Sequence, residues 1–221
     1  MFDRIVEPFA GGAGYSLRHA HNKVILCETD QHVFKLWRWL IHEATDRDIL
    51  DIPISIPEGT DIRTLGLSDG QALLLKSWQR TNNVGNCWTI SPWGNKPGQW
   101  TANTRSRVSS EVECVKHWHI LPDGLLTMRL KRLQPLTWFI DPPYQYNYQY
   151  KALPLDYAAL ADTVRSLRGQ TIVCEARHPK TDEKPTWLPF DDWGSRITSR
   201  RKEGEHTHSR ELLFTNKSKN Q

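Results

Sequence analysis

The residues of this chain best suited to chemistry are Asp141-Pro142-Pro143-Tyr144, which close the apolar run Trp138-Phe139-Ile140. Each proline locks φ, so the carboxylate, the Pro142 carbonyl and the Tyr144 ring are held in a stiff relative geometry. Such a group can accept the hydrogens of an amine on a flat polar ring and stack on that ring. A second set is Glu7-Pro8-Phe9-Ala10-Gly11-Gly12-Ala13-Gly14, where glycines permit a tight turn and close approach of backbone to a ligand. A third comprises Glu28 and Asp30, just past the apolar run Val24-Ile25-Leu26-Cys27. A glycine turn after one strand and an acid after the next is the layout by which Rossmann-like sheets hold a nucleoside-bearing cofactor, the acid binding ribose hydroxyls. Asp30 also stands where a helix N-cap belongs, a role that competes with ribose binding, so Glu28 is favoured for the ribose and Asp30 for the cap. A nicotinamide reading is weakened because Tyr15-Ser16 stand where the dinucleotide fingerprint places its third glycine.

These side chains require strands whose ends lie together. Residues 4–9 read as a first strand, 15–21 as a helix start and 24–27 as a second strand. Val33, Leu36, Trp37, Leu40 and Ile41 recur at helical spacing over 31–44. A short helical patch follows at 46–51. Ser68 with Gln71 three residues on forms a capping box for a helix reaching about residue 80. Another helix covers 103–116, with Val108, Val112 and Val115 inward, and a short strand lies near 117–121. The run before Asp141 reads as a buried strand that the two prolines terminate, which places Asp141 at a strand's carboxyl end, where open α/β sheets bind ligands. Residues 145–150, polar and aromatic, read as a flexible loop beside the ligand. Asp156 caps a helix through Leu167, striped by Tyr157, Leu160 and Val164 and stopped by Gly169. Thr171-Ile172-Val173-Cys174 is a further buried strand with Glu175 at its exit, parallel to its predecessor through a right-handed crossover. Residues 178–184 read as exposed. Segments 196–202 and 209–215 form an antiparallel hairpin that closes the sheet.

Residues 80–107 follow no period. Arg80, Lys96, Arg105 and Arg107 interleave with Trp88, Trp93 and Trp100, among asparagines, glycines and prolines. Basic residues for phosphates and aromatics for stacking make a nucleic-acid surface. A solvated loop pinned by buried tryptophans accounts for the same residues equally well, and long loops in compact domains are functional or disordered. Cys114, His117 and His119 lack a fourth ligand at recognisable spacing, so a zinc site is rejected and no metal is expected.

At 221 residues the chain fits a domain with an insertion. No apolar run approaches the roughly 18 residues of a membrane span, and the first residues lack the pattern of a secretory signal, so a cytoplasmic protein is expected. The four cysteines form no CxxC pair and are expected to be free thiols. With 29 Lys and Arg against 25 Asp and Glu, a net charge of +4 permits a polyanionic partner without demanding one. Ten tryptophans exceed what core filling in so polar a middle region explains.

In order and residues, the glycine run at 7–14 and the Asp141-Pro142-Pro143-Tyr144 motif resemble the DNA adenine N6-methyltransferases of the Dam type, including small phage and prophage-borne members. The resemblance covers the sheet strands and terminal hairpin; the middle is similar in position alone. It implies an α/β, Rossmann-like methyltransferase sheet with a terminal antiparallel hairpin and an inserted recognition region. The catalytic core would be 1–44 and 135–221, and the inserted DNA-recognition region 45–134. It implies S-adenosylmethionine as cofactor, held by Glu7, Pro8, Phe9, Ala10, Gly11, Gly12, Gly14, Glu28 and Asp123. Asp141, Pro142, Pro143 and Tyr144 would be catalytic, and Arg80, Trp88, Lys96, Trp100, Arg105 and Arg107 would meet DNA. The partner would be duplex DNA with a flipped adenine, and the protein a monomer or weak dimer in a bacterial or phage-infected cell. In the family a further cofactor-contacting segment precedes the glycine motif; here six residues do, so part of the methionine pocket is expected from elsewhere. Alternatives are the same chemistry on cytosine N4 or on RNA, for which family members acting on cytosine more often carry Ser at the position of Asp141, and a catalytically silent nucleic-acid-binding protein of the same fold.

Overall fold

The computed structural model describes residues 3–79, 87–92, 94–96, 98–122, 136–146, 155–178, 180–188, 195–202 and 205–216, with backbone alone in 195–202 and 205–212. In chain order the elements are β1 (Arg4–Glu7), α1 (Gly14–Leu17), β2 (Lys23–Cys27), α2 (Gln31–His42), α3 (Asp46–Leu50), α4 (Asp69–Ser77), α5 (Ala102–Glu111), β3 (His119–Leu121), β4 (Thr137–Ile140), α6 (Tyr157–Ser166), β5 (Gln170–Ala176), β6 (Ser195–Lys202) and β7 (Glu205–Thr215). Two compact units arise, Met1–Cys27 with Asp123–Gln221, and Glu28–Pro122.

The strands of the first unit lie in the order β2-β1-β4-β5-β7-β6. β1 runs parallel to β2 and to β4, and β4 parallel to β5. The hairpin β6-β7 joins antiparallel to β5. This is a mixed α/β arrangement with a mostly parallel sheet, compatible with a Rossmann-like fold. Its parallel strands are nearly continuous apolar runs, as strands covered on both faces must be; Ile5, Val6, Leu26, Trp138, Ile140 and Val173 are all buried. The Trp138 indole Nε1 donates to the Arg168 carbonyl at 3.0 Å, which satisfies the ring's polar atom inside the core.

The β4-α6-β5 crossover is built from the expected local signals. Asp156 accepts the Ala159 N–H and so caps α6, whose Leu160 and Val164 face inward, with Leu167 buried after it. Gly169 is required twice over: its φ is +103°, and a Cβ there would lie 2.2 Å from the Leu136 carbonyl oxygen. At the far end of β7, Asn216 accepts the Thr171 N–H and donates to the Gly169 carbonyl, tying the hairpin to β5.

The second unit is helical and heavily capped. Asp30 accepts the N–H groups of His32 and Val33 at the start of α2. Thr45 with Asp48 and Ser68 with Gln71 make capping boxes on α3 and α4. Lys116 Nζ donates to the Leu40 and Ala44 carbonyls at the end of α2, where the helix dipole favours a cation. Gly70 lets α4 approach Trp39 of α2, whose ring a Cβ would overlap. The helix expected over 103–116 divides into α5 and a 3₁₀ turn at Val112–Val115, and the one expected to reach residue 80 ends at Ser77.

The boundary between the units falls after Cys27 and Pro122, where the sequence divides it after residues 44 and 134. At the first of these boundaries the difference is α2. Its amphipathic stripe reads equally well as covering a sheet or packing on helices, and α2 contacts α4 within the second unit. Among the described residues no helix is long and apolar enough to cross a membrane, and no group of three His, Cys, Asp or Glu could hold a metal ion.

Candidate functional site

In the first unit β1 is flanked by β2 on one side and β4 on the other, so the strand order reverses between β1 and β4. Open α/β sheets bind ligands at the carboxyl ends of strands at such a point. Both sequence motifs leave the sheet there. Ile5 and Val6 pair with Thr137 and Trp138, so Glu7 and Asp141 emerge from neighbouring strands at the same edge.

After β1 the chain turns through Gly11 at φ +45° and Ala13 at φ +48°. The left-handed conformation is uncommon for alanine and persists where neighbours over-determine it. Here Ala10 N–H bonds the Cys27 carbonyl, Ala13 N–H the Ala10 carbonyl, and Leu17 N–H the Ala13 carbonyl. Gly12 and Gly14 are exposed, have no positive φ, and a Cβ on either would meet nothing within 4 Å. No neighbouring protein atom requires glycine at these positions, so the surface of the turn is open to a ligand.

Glu7 is 1% exposed and accepts the Ser16 N–H at 2.6 Å. Burial pushes its carboxyl up to about 7 against the pull of the Ser16 bonds, and the nearby Asp141 charge adds to the rise. Tyr15, next to Ser16, stacks on Phe139 of β4 with ring centroids 4.4 Å apart and planes 6° from parallel. The two motif-bearing strands are thereby joined by an aromatic contact as well as a ladder. Pro8 and Ala10 are buried and Phe9 is half-buried.

Asp141 is exposed at the end of β4, Pro142 is buried, and Pro143 and Tyr144 are half-buried. The Pro143 carbonyl accepts the Tyr157 hydroxyl at 2.7 Å. Burial pushes that phenol up to about 12, so it remains a donor across the working range. Beyond the turn, the Gln145 N–H points at both oxygens of Glu175, 3.2 Å from each. Glu175 is 0% exposed and also accepts the Trp187 indole N–H at 2.8 Å and the Ala176 N–H at 2.8 Å.

Sequence reasoning notes Glu175 only as the residue at a strand's exit and assigns it no role; Ser16, Tyr157 and Trp187 it misses altogether as site residues. One signal was available for Glu175: an acid closing an apolar strand that pairs directly with the strand of Asp141. Nothing local marks Trp187 as its donor.

Glu28 follows β2 and belongs to the second unit, where its Oε1 accepts the N–H groups of Thr29 and Asp30. Asp30 is the α2 cap, as expected. Asp123 and Arg80 lie outside the described residues.

The residues expected to meet DNA divide within the second unit. Trp88 is half-buried, with the Lys76 ammonium 4.4 Å and the Arg63 guanidinium 6.0 Å from its ring centroid, which makes a basic aromatic patch. Lys96 and Arg107 are exposed, Arg107 lying 5.9 Å from the Trp78 ring. Trp100 requires correction. It is 1% exposed and its indole donates to the Pro53 carbonyl at 3.0 Å, so it is a core pin with no face for a base. Arg105 is half-buried and donates to the Ile52 carbonyl at 2.9 Å, a bond that ties α5 to the segment after α3.

No model of a known protein family matches this chain, and no curated protein matches it significantly.

Proposed function

We propose that the protein transfers a methyl group from S-adenosylmethionine to the N6 amine of an adenine flipped out of DNA, as a member of the Dam-type methyltransferases its two motifs resemble. The observation that carries the reading is the placement of the glycine turn and the Asp141-Pro142-Pro143-Tyr144 turn on the carboxyl ends of adjacent parallel strands, where the sheet order reverses.

The residues present fit the cofactor. The turn at 10–14 offers glycine backbone without a steric requirement of its own, and Glu7 is a buried carboxyl that a cationic amino group would draw back toward ionisation. Gly11, Gly12, Gly14 and Glu7 would hold it with Pro8, Phe9 and Ala10. Bound there, it would supply a methyl group on a positively charged sulfur.

An exocyclic amine on an aromatic ring is a weak nucleophile because its lone pair is delocalised into the ring. The Asp141 carboxylate and the Pro142 carbonyl would accept its two hydrogens, drawing the nitrogen toward tetrahedral geometry and aiming its lone pair. The proton leaves after the nitrogen has become cationic, so no strong base is needed. The Pro143 carbonyl accepts the Tyr157 hydroxyl, a bond that fastens the turn to α6. Tyr144 would stack on the base, offsetting part of the few kcal/mol needed to unstack it. In the second unit Trp88, Lys96 and Arg107 would contact DNA, with affinity falling steeply as salt rises.

The test is incubation of the folded protein with isotopically labelled S-adenosylmethionine and adenine-containing DNA at low salt, then digestion to nucleosides. Labelled N6-methyladenine is expected. Label on cytosine N4 or only on RNA would move the substrate, and no label on any nucleic acid would sink the proposal.

A further inference from the structure

Glu175 is a buried carboxylate that serves its neighbours as a hydrogen-bond acceptor. Three N–H groups converge on it: Gln145 from the segment leaving the Asp141-Pro142-Pro143-Tyr144 turn, Ala176 from its own strand, and the Trp187 indole. Around this point the chain is doubly fastened. The Gln145 side chain exchanges hydrogen bonds with Thr186, donating from Nε2 to the hydroxyl at 2.9 Å and accepting the Thr186 N–H at 3.0 Å. Tyr146 places its ring edge-on to His178 with centroids 4.8 Å apart. His178 and the segment 180–187 therefore form a strap across the turn's exit, and Glu175 lies beneath it, bonded to turn, strand and strap.

We infer that Glu175 is a positioning residue that sets the turn carrying Asp141 and Tyr144, holding it while ionised and loosening it on protonation. The chemistry is specific. An ionised carboxylate is acceptor-only and satisfies three converging N–H donors. A protonated one presents an O–H to groups that cannot accept it and loses part of that capacity. Among the described residues the titratable groups facing it are Asp141 from the β4 end, Tyr146 from the turn's exit and Tyr157 from α6. Leu212 of β7 is in register beside it. Burial, with a smaller contribution from the Asp141 charge, pushes Glu175 up to about 7, against the three N–H bonds that hold it down. In this scheme the carboxyl stays buried whether the turn is held or loosened, so the N–H bonds alone distinguish the two arrangements. The clamp engages as pH rises through neutrality, although global stability falls over the same range. Glu175 touches neither the base nor the methyl donor in this scheme and acts through the turn. Its consequence for catalysis rests on the reading of that turn as the reacting one; the clamp itself does not.

The experiment follows two reporters by nitrogen-15 NMR from about pH 5 to about pH 9: the Trp187 indole N–H, assigned through Trp187→Phe, and the Gln145 backbone N–H. In the wild-type protein both should shift with a shared midpoint near 7, and in Glu175→Gln both should be flat. In Trp187→Phe, which keeps the carboxylate and removes one donor, the Gln145 midpoint should rise. Flat wild-type resonances, a titration that survives in Glu175→Gln, or an unmoved midpoint in Trp187→Phe would each overturn the clamp. In the methyl-transfer assay at neutral pH, Glu175→Gln should lower kcat about tenfold to a hundredfold and leave the KM for S-adenosylmethionine within about twofold. An unchanged kcat would remove Glu175 as a positioning residue. If the resonances titrate as expected but the wild-type protein transfers no methyl group, the clamp stands and the functional reading falls.

Discussion

The carboxylates of the two units answer to opposite forces. In the first unit Glu7 and Glu175 sit at strand ends beneath the turns, and burial raises both from an ordinary 4.5 to about 7. In the second, Asp48 and Asp61 are held below the ordinary value, Asp48 by the Thr45 hydroxyl and N–H and Asp61 by Arg63. The second pattern is that of acids used to finish helices and turns: ionisation strengthens the local structure. The first is that of acids kept where ionisation is costly, and such perturbed groups cluster at functional sites. The tryptophans divide in the same way within one segment, since Trp88 stands among cations at the surface while Trp100 is enclosed.

The largest effect should come from Trp100. Its replacement by alanine is expected to cost about 3–5 kcal/mol in urea unfolding, as a fully enclosed aromatic does, whereas Trp88→Ala should cost less than about 1 kcal/mol and weaken DNA binding by about 1–3 kcal/mol. Equal destabilisation by the two would erase the distinction between pin and platform. Next is Asp141→Ala, expected to reduce methyl transfer by on the order of a hundredfold to a thousandfold or more, with DNA affinity nearly unchanged in a filter-binding or anisotropy titration. A parallel loss of affinity would instead make Asp141 a structural acid.

The raised carboxyls set the pH dependence of stability. Between pH 4.5 and about 7 the folded protein keeps protons on Glu7 and Glu175 that the unfolded chain has released. Stability therefore falls as pH rises through that window, by on the order of 1–3 kcal/mol per group. Glu7→Gln should shrink the difference between unfolding free energies measured at about pH 5 and about pH 8. A lowered acid such as Asp48 acts in the other direction: its contribution is present above 3.8 and is lost as pH falls through its depressed value. The smallest effect should be Asp30→Ala, about 1 kcal/mol from the loss of the α2 cap. A much larger loss in the same unfolding measurement would show that Asp30 holds more than the start of α2.

The sequence by itself determined what depends on near neighbours. Apolar runs marked β2 and β5 and apolar periodicity α2 and α6; Ser68 with Gln71 and Asp156 marked helix starts; the prolines after Asp141 ended β4 where expected. Caps, turns and stripes are written within a few residues and survive being read alone. The motif pair also announced the carboxyl edge of the sheet, because residues at strand ends are placed by the strands. What the tertiary structure decided were encounters between distant residues. Trp100 meets a carbonyl 47 positions away, Gln145 a carboxylate 30 positions away, and Trp187 the same carboxylate across 12. Whether a tryptophan in a polar stretch is enclosed, or an acid at a strand's exit is clamped, depends on which segments fold over it. That is a property of packing, and no local pattern of residue types carries it.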